Sequence, residues 1–399
     1  MTANSRIYLD HSATTPLDPK ALRKMQPYFT EKFGNPASIH TYGQEALKAV
    51  DEAREAVAEF LDATNSEIFF TSGATEANNM VLRGTMEKRI EEGNHFITSK
   101  IEHPSILETA RSLEKDGFMA SYLPVDKEGR VSKESVQKAI TKKTVLVSIM
   151  YANNEVGAIQ PIKEIGKLIR KENKKRLKEG LPEIYFHVDA VQGINFLDCS
   201  VKRLRCHLLS LSGHKFYGPK GIGVLYKQEG VALKAQATGG HQERNVRAGT
   251  SNVPGIIGLA EALKIANKNR EKSSAKVFEL KKYLIQKIKD QIPNIKVNSP
   301  ESDNKGLPNI ANISFPGAEG ESILLKLDFA GIAVSTGSAC SSTSLEPSHV
   351  LLAQRLTFKE AHSSVRFSLG KHNTKKEINY LMKHLPKIIE DLRKMSPIK

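Results

Sequence analysis

A lysine that follows an apolar run and precedes a glycine- and proline-rich turn is the residue of this sequence best equipped for covalent chemistry. Leu208, Leu209 and Leu211 lead into Ser212, Gly213, His214 and Lys215, and the turn runs from Gly218 to Gly223. The pattern predicts a buried strand that ends in a tight loop. A lysine amine fixed and desolvated there can condense with an aldehyde. Upstream, Tyr185-Phe186-His187-Val188-Asp189 predicts a second apolar strand, with Gln192 just beyond its end. Asp189 and Lys215 are 26 residues apart, room for one crossover between strands. An acid that keeps a pyridine nitrogen protonated and a lysine that holds an aldehyde suit pyridoxal phosphate.

Other polar residues sit at comparable points. Thr71-Ser72-Gly73-Ala74-Thr75-Glu76 follows the strand-like Ile68-Phe69-Phe70 and opens a helix, so its free N–H groups suit a phosphate. The same residues also cap helices in many proteins. His103 closes the strand His95–Ser99; it is a cap or surface histidine, or else an imidazole stacked on a pyridoxal ring. Val145 to Met150 is a continuous apolar strand that leads to Asn154. Strands alternating with helices predict an α/β protein with a mainly parallel sheet. Loops at the carboxyl ends of such strands carry function. Thr71 to Glu76, His103, Asn154, Asp189 with Gln192, and His214 with Lys215 all fall there.

The remaining elements frame this set. Residues 7 to 15 predict a short strand and a turn, and His40 to Leu61 an amphipathic helix. From Pro254 to about Ile288 the pattern is a long helix with a soft interruption near Lys272 to Ser274, the expected domain boundary. A smaller α+β domain follows, with a small-residue loop from Thr336 to Ser342 around Cys340 and a short strand, Ser364 to Ser368, that carries Arg366. The expected division is 16–262 for a large domain, and 1–15 with 263–399 for a small one.

Composition sets the outer limits. The 399 residues are 39% hydrophobic and 26% charged, as in ordinary globular proteins. No apolar run reaches the roughly 18 residues of a membrane span. The first residues have no charged-then-apolar signal pattern, and the three cysteines (Cys199, Cys206, Cys340) form no CxxC pair. A cytoplasmic protein without a metal site is expected. The net charge is +15, and basic residues concentrate in Lys167 to Lys178, either a footprint for RNA or an acidic partner protein, or a solvated helix face. No aromatic residue is interleaved there, so direct nucleic-acid binding is not expected.

Taken together, the motifs resemble those of the cysteine desulfurases of the class V aminotransferase group. YLDHSATTP, FGNPAS, TSGATEANN, NNEVG, HVDAVQ, SGHKFYGPKG, RAGT, GSACSS, SLEPSHV and SSVRFSLG occur in the family's order. The long insertion between GSAC and SSVRFSLG is similar to the group-I branch, which includes the iron–sulfur and nitrogenase desulfurases. The resemblance implies the fold of type I pyridoxal-phosphate-dependent transferases, with a seven-stranded sheet in the large domain.

The resemblance also implies roles. Lys215 is the Schiff-base lysine, Asp189 pairs with the pyridinium nitrogen, Gln192 with the ring hydroxyl, and His103 stacks on the ring. Ala74, Thr75, Ser212 and His214 belong to the cofactor site, the latter three on the phosphate. Asn154 lies close to cofactor and substrate, and Arg366 grips the substrate carboxylate. Thr250 reaches the phosphate from a second subunit, which implies a homodimer. Cys340 is the nucleophile that takes sulfur from L-cysteine as a persulfide, leaving L-alanine. The sulfur then passes to an acceptor for iron–sulfur cluster assembly or thiolation. Cys199 and Cys206 are assigned to packing. Two departures bear on the acceptor: the chain ends soon after Met395, where housekeeping relatives carry a longer tail that helps dock the scaffold protein, and the basic 167–180 connection is longer than usual. The alternatives are a selenocysteine lyase or aminotransferase on the same fold, which needs no thiol at Cys340, and a non-enzymatic RNA-binding or scaffold descendant, which would have lost Lys215 or Asp189.

Overall fold

The computed structural model describes residues 6–302, 304–336 and 346–395. In chain order its strands are β1 (Ile7–Tyr8), β2 (Ile68–Thr71), β3 (His95–Ser99), β4 (Met119–Leu123), β5 (Thr144–Met150), β6 (Tyr185–Asp189), β7 (Leu208–Ser212), β8 (Gly223–Lys227), β9 (Lys296–Val297), β10 (Ile310–Ser314), β11 (Ile332–Ala333) and β12 (Ser364–Ser368). Seven of them form one sheet in the order β2-β8-β7-β6-β5-β3-β4. Neighbouring strands from β7 through β4 pair in parallel, and only β8 runs against its neighbours. All residues of β5, β6 and β7 are buried, the pattern of strands covered on both faces.

Alternation along these strands divides the apolar side chains between two layers. Phe96, Leu146, Tyr185 and Leu208 pack with Met80, Val81 and Leu113 of the helices Ala74–Lys88 and Pro104–Lys115. Ile97, Val147, Phe186 and Leu209 pack on the opposite layer with Val50 and Val57 of the helix Thr41–Leu61 and with Ile256 and Leu259. Cys199 and Cys206 lie buried in this second layer as free thiols. A separate core surrounds the antiparallel sheet β12-β10-β9 and the pair β1-β11, with Ile313, Phe367, Leu381 and Leu385 inside it.

One helix, Val253–Gln291, joins the two cores. Its first half contributes Ile256, Leu259 and Leu263 to the large sheet's layer, and its second half Val277, Leu280 and Leu284 to the smaller core. The interruption expected at Lys272 to Ser274 is absent: the helix is continuous. The polar stretch marks the point where the buried stripe passes from one core to the other, which breaks the apolar periodicity without breaking the backbone.

The basic segment forms the helix Ile162–Lys178, which buries Ile162, Ile165, Leu168 and Ile169 and exposes Lys171, Lys174 and Lys175. Arg176 departs from that surface. It is 1% exposed, and its guanidinium donates to the carbonyls of Pro182, Thr141, Lys142 and Thr144 at 2.7–3.0 Å. No helix among the described residues is long and apolar enough to cross a membrane.

Candidate active site

β8 is antiparallel to both β7 and β2, so β2 and β7 point the same way. The ends of β2, β3, β5, β6 and β7 therefore meet at one edge of the sheet, where an α/β fold places ligands. The close fit there depends on glycine: a Cβ on Gly223 would lie 2.7 Å from the backbone of Gly73. A cavity of about 610 Å3 opens at this edge. Ala74, Thr75, His103, Asn154, Asp189, Gln192, Ser212, His214, Lys215 and Arg366 all line it. Thr250 does not. It lines a separate, smaller hollow with Ser72 and Arg247. Cys340 lies outside the described residues.

Lys215 ends the 3-10 turn Gly213–Lys215 that follows β7. Its Nζ donates to the carbonyls of Ser12 (2.6 Å) and Ala13 (2.8 Å), and its own carbonyl accepts from Asn195 Nδ2 at 2.7 Å. The amine is thus aimed by two backbone acceptors from the segment after β1. Gln192 Nε2 donates to the same Ser12 carbonyl at 3.1 Å.

Asp189 is the last residue of β6. Asn78 Nδ2 donates to its Oδ2 at 2.8 Å, and the backbone N–H of Val191 donates to its Oδ1 at 3.0 Å. Asn78 also donates to Ser105 Oγ at 2.9 Å. His103 caps the helix Pro104–Lys115, with its Nδ1 accepting from the Ser105 N–H at 3.1 Å. An accepting Nδ1 leaves the proton on Nε2. Burial holds the imidazole below its ordinary pKa; Asp189 opposes the shift, while Lys215 and His349 add to it. His103 is thus a neutral imidazole near pH 7.

The helix Ala74–Lys88 starts at Gly73 without a side-chain cap, which leaves its first N–H groups available to an anion. His214 stands nearby with Nδ1 3.1 Å from Thr14 Oγ1, and burial lowers its pKa to about 4. It is neutral at pH 7 and offers a hydrogen bond rather than a charge. Arg366, on β12, is 3% exposed. It donates to Asp10 Oδ1 at 2.6 Å and to the Asn154 carbonyl at 3.0 Å, whereas its Nε is buried without a hydrogen-bond partner among the described residues.

Several participants were not expected from the sequence. Asn78 lies one helical turn beyond Thr75, so its facing the same way was readable from i, i+3 spacing. The carbonyls of Ser12 and Ala13 left no signal, because backbone groups are common to every residue. Glu102 and Glu155 are buried beside the cavity. Glu102 Oε1 accepts from Ser99 Oγ and the Met150 N–H, its Oε2 has no partner among the described residues, and burial pushes its pKa up to about 8. Glu155 accepts from Ser348 Oγ, and His349 Nε2 lies 3.0 Å from the Glu102 carbonyl. No group of three or more His, Cys, Asp or Glu residues able to hold a metal occurs among the described residues.

These residues fit pyridoxal phosphate. The uncapped helix start suits its phosphate, the fixed carboxylate its ring nitrogen, and the aimed lysine its aldehyde. Ser12 Oγ and Arg366 Nε, both from residues that line the cavity, are buried polar atoms without partners among the described residues. Such atoms find partners when a polar ligand enters.

Comparison with known proteins agrees with this donor set. The family described as Aminotransferase class-V matches residues 7–381. A cysteine desulfurase IscS of Clostridium botulinum is 50% identical over 395 residues, covering 99% of this chain and 97% of the relative. Among solved structures, a NifS-like protein superposes with a TM-score of 0.89 at 38% identity, covering 97% of this chain and all of that one. Another, described as SspA in complex with cysteine, gives a TM-score of 0.79 at 35% identity over 92% of this chain and 100% of that one. The chain belongs to the class V aminotransferase family, pyridoxal-phosphate-dependent enzymes of fold type I, and within it to the group-I cysteine desulfurases.

Proposed function

We propose that this protein converts L-cysteine to L-alanine, taking the sulfur onto Cys340 as a persulfide and passing it to an acceptor protein. The observation that carries the reading is the convergence of Lys215, Asp189, His103 and Arg366, from four different strand ends or strands, on one cavity. When bound, pyridoxal phosphate supplies an electron sink for the substrate Cα. Lys215 would anchor its aldehyde and Asp189 its ring nitrogen, with Gln192 at the ring hydroxyl and Ala74, Thr75, Ser212 and His214 around the phosphate. The Arg366 guanidinium holds the substrate carboxylate, with Asn154 beside it. The Lys215 amine takes the proton from Cα. His103, neutral with its proton on Nε2, is a donor at neutral pH. The Cys340 thiolate takes the substrate sulfur, so that the Cβ–S bond breaks as an S–S bond forms. The carbon skeleton leaves as alanine after protonation.

The assembly is read as a homodimer in which Thr250 serves the partner's phosphate site, which fits its position outside this chain's own cavity. The domains are read as 16–262 and 1–15 with 263–399; the two hydrophobic cores favour this division in outline, although Leu263 and Val350, Leu351, Leu356 and Ala361 pack with the large-sheet core. A Cys340 thiol free to attack is maintained in a reducing compartment, in keeping with a cytoplasmic site. The acceptor is read as an iron–sulfur scaffold or a thiolation carrier. The test is product analysis of the holoenzyme with L-cysteine and a small thiol reductant. Alanine and sulfide in equal amounts are expected. An oxo acid in place of alanine, or inertness to cysteine with turnover of selenocysteine, would overturn the reading.

A further inference from the structure

A second cavity, of about 330 Å3, lies behind the Lys215 loop, at the place where the helix Val253–Gln291 leaves one core for the other. Its volume falls within the range of small-molecule sites. Its lining is partly apolar, with Phe196, Ile265 and Ala266 at the cavity and the fully buried Phe216 behind them. The lining is also basic, with Lys272 and Lys276 further along the same helix as Ile265 and Ala266, and Lys371 and His372 from another segment. Asp18 is the acidic group that faces them, and it is taken by Lys371 at 2.5 Å. Lys276 Nζ meets a backbone carbonyl, that of Lys371, at 2.7 Å. Lys272 and Lys276 form no ion pair among the described residues. The surplus of positive charge is felt locally. Partial burial lowers the His372 pKa, Lys371 and Lys276 push it down further, and Asp18 opposes them.

The wall of this cavity is continuous with the catalytic site. Asn195, which lines it, donates to the Lys215 carbonyl, and Phe216 and Tyr217 directly follow Lys215. Tyr217 holds a left-handed backbone, φ +65°, that a non-glycine residue keeps only under constraint. Its constraints are the Thr15 hydroxyl, which accepts from its N–H at 2.7 Å, and the Lys371 N–H, which donates to its hydroxyl at 2.8 Å. The Lys371 ammonium also lies 4.1 Å from the ring centroid. A ligand that draws on Lys371, or on Lys276, which holds the Lys371 carbonyl, therefore acts on the backbone that follows the catalytic amine.

We infer that this cavity is a regulatory site for a small carboxylate with a flat apolar body, whose occupancy shifts the Lys215 loop through Asn195 and Tyr217. The apolar lining takes the body, and Lys272 and Lys276 take the carboxylate.

The probe is 2-naphthoate, followed by its fluorescence on the holoenzyme without L-cysteine, so that binding is read independently of the reaction proposed above. Saturable binding of one molecule per subunit is expected. Ala266→Phe, which fills the cavity, should exclude the probe, and Lys276→Glu, at an exposed lysine, should weaken binding by about ten-fold or more, the loss expected with a charge-assisted hydrogen bond. The neutral 2-naphthamide should bind more weakly by a similar factor. Saturating 2-naphthoate should change kcat/KM for L-cysteine by about five-fold or more, the lower range of allosteric coupling. Equal binding of the amide, or binding lost in Arg366→Ala but kept in Ala266→Phe, would overturn the site. Full occupancy with unchanged turnover would overturn the coupling.

Discussion

Asn78 Nδ2 donates a 2.8 Å hydrogen bond to Asp189 Oδ2 from a side chain wholly removed from solvent. The pair ties the helix that begins the phosphate-type site to the carboxylate at the end of β6, so one contact sets the distance between the two ends of the cofactor site. Asn78→Ala should leave Asp189 under-bonded and weaken cofactor retention by about ten-fold or more, given roughly 1.5–3 kcal/mol for a buried hydrogen bond to a charged group. Titration of the apoprotein with pyridoxal phosphate checks this. An unchanged affinity would show that Val191 N–H alone positions the carboxylate.

Arg366 presents a guanidinium already engaged by Asp10 and the Asn154 carbonyl. Arg366→Lys removes the planar fork, so KM for L-cysteine should rise by about ten-fold or more while cofactor affinity stays unchanged. Asp10→Asn should raise KM less, by loosening the guanidinium rather than removing it. Initial-rate kinetics on the three proteins separate these effects. Equal KM values would remove Arg366 from substrate binding.

Glu102 gives a pH signature. Burial raises its pKa from an ordinary 4.5 to about 8, so the folded state binds a proton that the unfolded state has released. Its stabilising contribution is complete below about pH 4.5 and is lost progressively as pH rises towards about 8. Glu102→Gln, which keeps a neutral group at this position, should therefore gain on the parent by about 1 kcal/mol per pH unit across that window. Denaturant midpoints at pH 5 to 9 would show it, and parallel curves for the two proteins would refute it.

The exposed lysines of the helix Ile162–Lys178 are a solvated face on this account. Charge reversal at Lys171, Lys174 and Lys175 should leave alanine formation with a small reductant within about two-fold, the scale of surface changes remote from a site. A larger drop would contradict it. A drop confined to assays with a macromolecular acceptor would make this face a docking surface.

Much of this was legible because the strands are short apolar runs that end in polar chemistry. Leu208–Ser212 before Lys215 and Tyr185–Asp189 are delimited by composition alone. Motif order then named the family. What was not legible arises over long separations. Asp10, Ser12 and Ala13 meet Arg366 and Lys215 across more than 200 residues, through contacts that no local pattern encodes. β8 is brief and antiparallel within a parallel sheet, and β4 is a partly exposed edge, so neither gave a clear periodicity. The break expected in the helix Val253–Gln291 was a change of core, which sequence periodicity alone does not distinguish from a change of backbone.

The central claim is that sulfur moves to one particular thiol. Cys199 and Cys206 are buried, and burial raises both thiols, Cys199 to about 12, so neither is a thiolate at neutral pH. The most direct measurement is peptide mapping of the holoenzyme after a brief pulse of L-cysteine, beside the Cys340→Ala protein. The persulfide should lie on the peptide that contains Cys340, and the Cys340→Ala protein should bind cofactor and L-cysteine yet release neither alanine nor sulfide. Persulfide on Cys199 or Cys206, or sulfur release that persists without Cys340, would contradict the account.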